Sequence, residues 1–167
     1  MEELLDELRP LAAARWSPPE NLHITTRFIG EWPEARLGEL KSALGTVAVP
    51  GPIRIAVEGF GFFPNAASPK TLYAGVHGGE PLTALARVTN DALETVGCAR
   101  DTRPYSPHLT LARLKPENIG ELHSRLNFMT NTRFGVFDAT EFHLYRSEPQ
   151  QGGGSVYTRL AGWGLQC

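Results

Sequence analysis

Two stretches of this chain carry the same reactive pattern. Ser106-Pro107-His108-Leu109-Thr110-Leu111-Ala112-Arg113 repeats the His-apolar-Thr core of Asn21-Leu22-His23-Ile24-Thr25-Thr26-Arg27. Each is rich in β-branched and large apolar residues and reads as a short strand, so period-2 alternation puts His23 with Thr25, and His108 with Thr110, on one face. An imidazole and a hydroxyl then point the same way, twice. At a phosphate the hydroxyl donates a hydrogen bond to an oxygen and the imidazole moves a proton near neutral pH. Two facing copies supply both an acid and a base. One His-x-Thr says little, because both are ordinary strand residues; the pair says more. Both copies follow a Pro-containing polar turn, and an arginine, Arg27 or Arg113, follows each histidine within five residues.

The elements that must position these stretches alternate along the chain. Leu4, Leu5, Leu8, Leu11 and Ala12 recur at helical spacing and predict a helix over 3–14, bent or ended near Pro10. After the first motif, Pro33-Glu34-Ala35 opens a helix to about Leu44. Ile53 to Val57 alternates as a strand ended by Gly59 to Pro64, residues 65–70 form a surface loop, and Leu72 to Val76 is a short strand. A helix over 81–96 stops at Gly97, and a polar loop over 100–107 leads into the second motif. A helix over 117–127, one longer strand over 134–146, a turn over 150–154 and a last strand over 156–160 complete the chain. Both halves read strand, turn, helix, which predicts two similar lobes with their motif strands lining one cleft.

Composition narrows the function classes. At 167 residues and 41% hydrophobic side chains, the chain reads as one domain, 1–167, able to bury its own core. A net charge of −2 argues against long-range binding of extended nucleic acid, while a nucleotide or an RNA end remains within reach. Cys98 and Cys167 form no paired framework or CxxC spacing, which implies a reduced, cytoplasmic setting. No apolar run approaches the roughly 20 residues of a membrane span, and the acidic start Met1-Glu2-Glu3 is unlike a signal peptide. His77, His123 and His143 lack HxH or HExxH spacing, so no zinc site is expected.

The first motif, extended through Phe28-Ile29-Gly30, and the second, from Pro107 to Arg113, resemble the two signatures of the 2H phosphoesterases, in particular the RNA 2′,3′-cyclic phosphodiesterases also called 2′-5′ RNA ligases. Phe63-Pro64, the segment Pro69 to Val76, Leu144-Tyr145-Arg146-Ser147 and Tyr157-Thr158 are similar to that family too. The resemblance implies an α+β fold of two lobes related by a pseudo-two-fold, each an antiparallel-rich sheet with outer helices, flanking a central cleft with two HxT motifs. It implies a metal-independent phosphodiesterase, without cofactor, that opens 2′,3′-cyclic phosphate ends of RNA or nucleosides to 2′-phosphates, with minor 2′-5′ ligation in reverse. By this analogy His108 is the base, His23 the acid, and Thr25 and Thr110 hold the non-bridging oxygens; the sequence alone does not order the two histidines. A monomer is expected. Members usually open with an apolar strand before the first helix, whereas this chain starts inside that helix, so an open strand edge is expected.

Other candidates stay two-sided at this level. Strict alternation turns Arg113 away from His108, so it reaches the phosphate only if the strand bends. Arg27 has the parity of His23, and a salt bridge accounts for it equally well. Tyr105, Phe63 and Trp16 could stack on a nucleobase or simply pack. Two other readings compete with the leading one. The cleft could hold a nucleotide or RNA end without turnover, or serve a 2H enzyme for another substrate, such as 2′-5′ oligoadenylate or a cyclic ADP-ribose phosphate. The segments over 64–70 and 100–106 would set that choice.

Overall fold

The computed structural model describes residues 2–115, 119–129, 131–151 and 154–166. Pro116-Glu117, Gly152-Gly153 and Cys167, where the sequence places a helix start, part of a turn and the second thiol, lie outside them. Chain order is α1 (Glu2–Leu8), β1 (Ala14–Trp16), α2 (Leu37–Leu44), β2 (Ile53–Phe63), β3 (Thr71–His77), α3 (Gly79–Glu94), β4 (His108–Leu114), α4 (Gly120–Asn127), β5 (Arg133–Ala139), β6 (Glu141–Pro149) and β7 (Ser155–Gly164). Strands β1, β4, β3, β2 and β5 form one sheet in that spatial order, and β6 with β7 forms a second. Every ladder is antiparallel. No helix among the described residues is long and apolar enough to cross a membrane.

Burial decides which face of the large sheet carries the chemistry. Ile53, Ile55 and Val57 of β2, Leu72, Ala74 and Val76 of β3, and Leu109, Leu111 and Leu114 of β4 are buried. They join leucines of all four helices in one core, among them Leu5, Leu40, Leu85 and Leu122. Each such side chain contributes roughly 1.5–3 kcal/mol when fully buried, so a slip of one residue in register is prohibitive. With that face turned inward, Thr71, Tyr73, His108 and Thr110 share the opposite one.

Four local expectations change in the structure. The first helix ends at Leu8; Arg9–Leu11 tightens into a 3₁₀ turn at Pro10, and Ala14–Trp16 becomes the sheet edge instead. Strand β2 does not stop at Gly59: it bulges between Glu58 and Phe60 and continues to Phe63. The single strand expected over 134–146 is two, broken at Thr140, because β5 ladders onto β2 while β6 ladders onto β7.

The fourth change concerns the first motif. Residues 22–30 form no strand, and their one ladder contact is an antiparallel bridge from Ile24 to Leu109. They approach the edge of β4 that β1 already occupies from Ala112 to Leu114. The 3₁₀ turn Pro19–Asn21 interrupts that edge, and the chain rejoins it only at Leu109.

Candidate active site

Strand β4 presents the second motif, and a bulge reshapes it. Leu72 pairs with Ala112 but Tyr73 pairs with Thr110, so Leu111 is an extra residue on β4. The burial pattern registers the same slip: Leu109, Leu111, Ala112 and Leu114 are buried, whereas His108, Thr110 and Arg113 are not. An extra residue reverses the parity beyond it. Arg113 therefore lies on the face of His108 and Thr110, where its guanidinium donates to the Thr71 hydroxyl at 2.7 Å. Thr71 is one of two polar side chains buried among the described residues.

The first motif faces the second across the Ile24–Leu109 bridge. Antiparallel pairing at that point sets His23 beside Thr110 and Thr25 beside His108, all on the face away from the buried Leu109. Each histidine is held in the same way. The Nδ1 of His23 donates to the Asn21 carbonyl at 2.7 Å, and that of His108 to the Ser106 carbonyl at 2.8 Å. A carbonyl only accepts, so each Nδ1 carries a proton, and each Nε2 is directed away from its own backbone. Neither Nε2 has a hydrogen-bond partner among the described residues. Asn21 also donates from its side chain to the Ser155 carbonyl at 3.0 Å, which ties the first motif to β7.

Aromatic rings complete the two mounts. The His23 ring packs on Tyr157 of β7 with centroids 4.7 Å apart. The His108 ring meets Phe63 edge-on at 4.8 Å and Tyr73 at 5.5 Å, while Phe63 and Tyr73 stack on each other at 4.4 Å. This stack requires Gly61. Gly61 pairs with Tyr73, and a Cβ there would stand 2.6 Å from Cε2 of Tyr73 and closer still to its Cζ and Oη. The phenol ring lies over bare backbone, which fixes its place beside His108.

His23, Thr25, Arg27, His108, Thr110 and Arg113, with Trp16, line one open cleft, which continues along core side chains such as Ile55 and Leu85. Arg27 faces it already paired, with Nη1 3.2 Å from Asp101 and Nη2 on the Ala99 carbonyl. Arg103, through side-chain and backbone donors, and then Arg27 hold the Asp101 carboxyl well below the usual carboxylate range. Phe63 and Tyr105 are not among the cleft-lining residues. Phe63 supports His108, and Tyr105 packs against the core, where burial pushes its pKa up to about 12. The remaining histidines pack or pair locally: His77 with Glu58 at 3.8 Å, His123 on Phe62 and His143 with Glu141 at 3.1 Å. Among the described residues no group of three or more His, Cys, Asp or Glu is arranged to hold a metal ion.

The supports, Asn21, Gly61, Thr71, Tyr73 and Tyr157, were not among the site residues expected from the sequence. Two left a signal. A glycine inside an aromatic run, Phe60-Gly61-Phe62-Phe63, marks a close approach by another group, and both histidines stand two residues after a turn residue whose carbonyl can reach back.

Residues 2–151 match the profile of the 2′-5′ RNA ligase superfamily. Two curated relatives are named RNA 2′,3′-cyclic phosphodiesterase. That of Archaeoglobus fulgidus is 33% identical over 88% of this chain and 82% of its own, and that of Methanothermobacter thermautotrophicus 32% identical over 89% and 81%. Among solved structures, E. coli LigT complexed with 3′-AMP superposes with a TM-score of 0.78 at 26% identity, covering 99% of this chain and 89% of that one. A Thermus thermophilus crystal structure gives 0.76 at 29% identity, covering 99% and 93%.

Proposed function

Given that the chain belongs to the 2′-5′ RNA ligase superfamily, we propose that it hydrolyses 2′,3′-cyclic phosphate ends of RNA and of nucleosides to 2′-phosphates. The observation that carries this reading is the pair of identically mounted histidines, each with Nδ1 on a carbonyl and Nε2 unengaged, facing each other across one bridge. Water attacks phosphorus in line with O3′. The Nε2 of His108 takes the water proton as the new P–O bond forms. The Nε2 of His23 delivers a proton to O3′ as the P–O3′ bond breaks, leaving a 3′-hydroxyl and a 2′-phosphate. The hydroxyls of Thr25 and Thr110 donate to the non-bridging oxygens, where charge accumulates, and Arg113, held by Thr71, adds a cation on the same face. No step calls for a metal or cofactor. With a ribose 5′-hydroxyl attacking phosphorus in place of water, the same groups carry out a minor ligation: His108 takes the hydroxyl proton, the P–O3′ bond breaks with His23 protonating O3′, and a 2′-5′ phosphodiester results.

The deciding assay is turnover of 2′,3′-cyclic AMP in EDTA with the product identified. A 2′-phosphate is the expected product, and His23→Ala and His108→Ala each lower kcat by roughly 10²–10⁴ with the fold intact. Wild-type turnover in either variant removes that histidine from the mechanism. A 3′-phosphate product exchanges the leaving oxygen.

A further inference from the structure

The cleft face carries a second cation, Arg15, that the reaction does not use. Strand β1 pairs with β4 so that Arg15 lies directly opposite Arg113. Residues opposite each other in a ladder share a face, so both arginines stand on the side of His108 and Thr110, and both line the cleft. Two like charges placed this way repel. Arg113 is steadied by the Thr71 hydroxyl, which is neutral. Neither arginine has a carboxylate within 4.0 Å among the described residues, although Glu20, Glu31, Glu34 and Glu141 line the same cleft. Two arginines paired across a ladder on the cleft face, with no carboxylate partner among the described residues, suit an anion, because arginine donors match phosphate oxygens in pairs.

Position identifies the anion. The arginine row lies beyond Thr110 along β4, three residues on with one of them bulged, which is about two strand steps or ~7 Å. That is comparable to one nucleotide step of an extended strand. In an RNA that ends in a 2′,3′-cyclic phosphate, the next anion is the phosphodiester on O5′ of the same terminal ribose. A cyclic mononucleotide lacks it. We propose that Arg15, next to the Arg113 that serves the reacting phosphate, binds this phosphodiester, so that the site selects the end of an oligonucleotide over a free cyclic nucleotide. This inference rests on the reaction proposed above.

The test compares adenosine 2′,3′-cyclic phosphate with the adenylyl dinucleotide that ends in the same cyclic phosphate, in wild type and in Arg15→Gln. Wild type is expected to favour the dinucleotide by roughly 10- to 100-fold in kcat/KM, mainly through KM, as one charge-assisted phosphate contact supplies. Rising salt weakens the preference. Arg15→Gln brings the ratio close to one while its Tm stays at or above wild type, because the like-charge contact is relieved. An unchanged ratio, or a Tm several degrees lower, overturns the assignment. Should wild type turn over neither substrate, the proposed reaction fails and calorimetry still decides this point. Adenosine 3′,5′-bisphosphate binding about tenfold tighter than adenosine 3′-phosphate, with the difference lost in Arg15→Gln, supports the site; equal binding in wild type overturns it.

Discussion

Gly61→Ala tests whether the aromatic stack holds His108 in place. The added Cβ stands 2.6 Å from Cε2 of Tyr73, and closer to Cζ and Oη, where carbon contacts settle at about 3.5–4.0 Å. The ring must move by roughly 1–1.5 Å. It cannot simply swing aside, because Phe63 stacks on it at 4.4 Å and the His108 ring stands 5.5 Å away on the same face. Overpacking of this kind costs about 1–3 kcal/mol, which for a domain of this length lowers Tm by roughly 2–12 °C. The larger effect falls on turnover. A ring shift passed to His108 moves Nε2 off line with its proton, and a misplacement near 1 Å lowers kcat by about 10². Turnover of 2′,3′-cyclic AMP and thermal melts on the same preparation measure both. Adding Tyr73→Leu to Gly61→Ala removes the clash, and Tm is expected to recover above that of Gly61→Ala alone. Wild-type kcat and Tm in Gly61→Ala refute the reasoning, as does additivity of the two changes in a double-mutant cycle.

Two further predictions concern pH and stability. The donors of Arg103 and the charge of Arg27 depress the folded-state pKa of Asp101 below its unfolded value. Its stabilisation is therefore complete above pH ~4 and is lost as pH falls below that. Asp101→Asn lowers Tm at pH 7, and the gap to wild type closes below pH ~4; a gap constant between pH 7 and 3 disproves the link. The Tyr105 hydroxyl is buried with no hydrogen-bond partner among the described residues, and burial raises its pKa to about 12. Its contribution is fully present below pH ~10 and fades as pH rises through the folded value. Because an unpaired buried hydroxyl costs about 1–3 kcal/mol, Tyr105→Phe keeps Tm at or above wild type at pH 7. It also melts with less alkaline dependence above pH ~10, and a Tm several degrees lower at pH 7 would show that the hydroxyl is paired.

The candidate residues and the class of fold were legible before any coordinate. His23, Thr25, His108 and Thr110 come from a duplicated local pattern, and alternation within three residues is enough to put each pair on one face. The leucine stripe of α3 and the buried alternation of β2 and β3 likewise depend on near neighbours. Element type followed from these short-range signals. Where the reading stopped short, the missing information was the identity of a distant partner. Residues 22–30 alternate as a strand should, yet a strand needs a ladder, and the free edge of β4 offers the segment only Leu109. Residues 134–146 read locally as one strand, yet their two halves belong to different sheets.

The chain by itself thus determined the candidate groups: two imidazoles, two hydroxyls and the arginines beside them. Tertiary structure decided how those groups are mounted. The bulge at Leu111 that turns Arg113 toward Thr110 depends on β3 pairing with β4, and the row of Arg15 and Arg113 depends on β1 pairing with β4. The ring of Tyr73 beside His108 depends on Gly61 of a neighbouring strand. Local sequence encodes faces, because a side chain's direction is set by its own backbone. Register between strands is set by the summed burial of the whole core, and no stretch of sequence contains that sum.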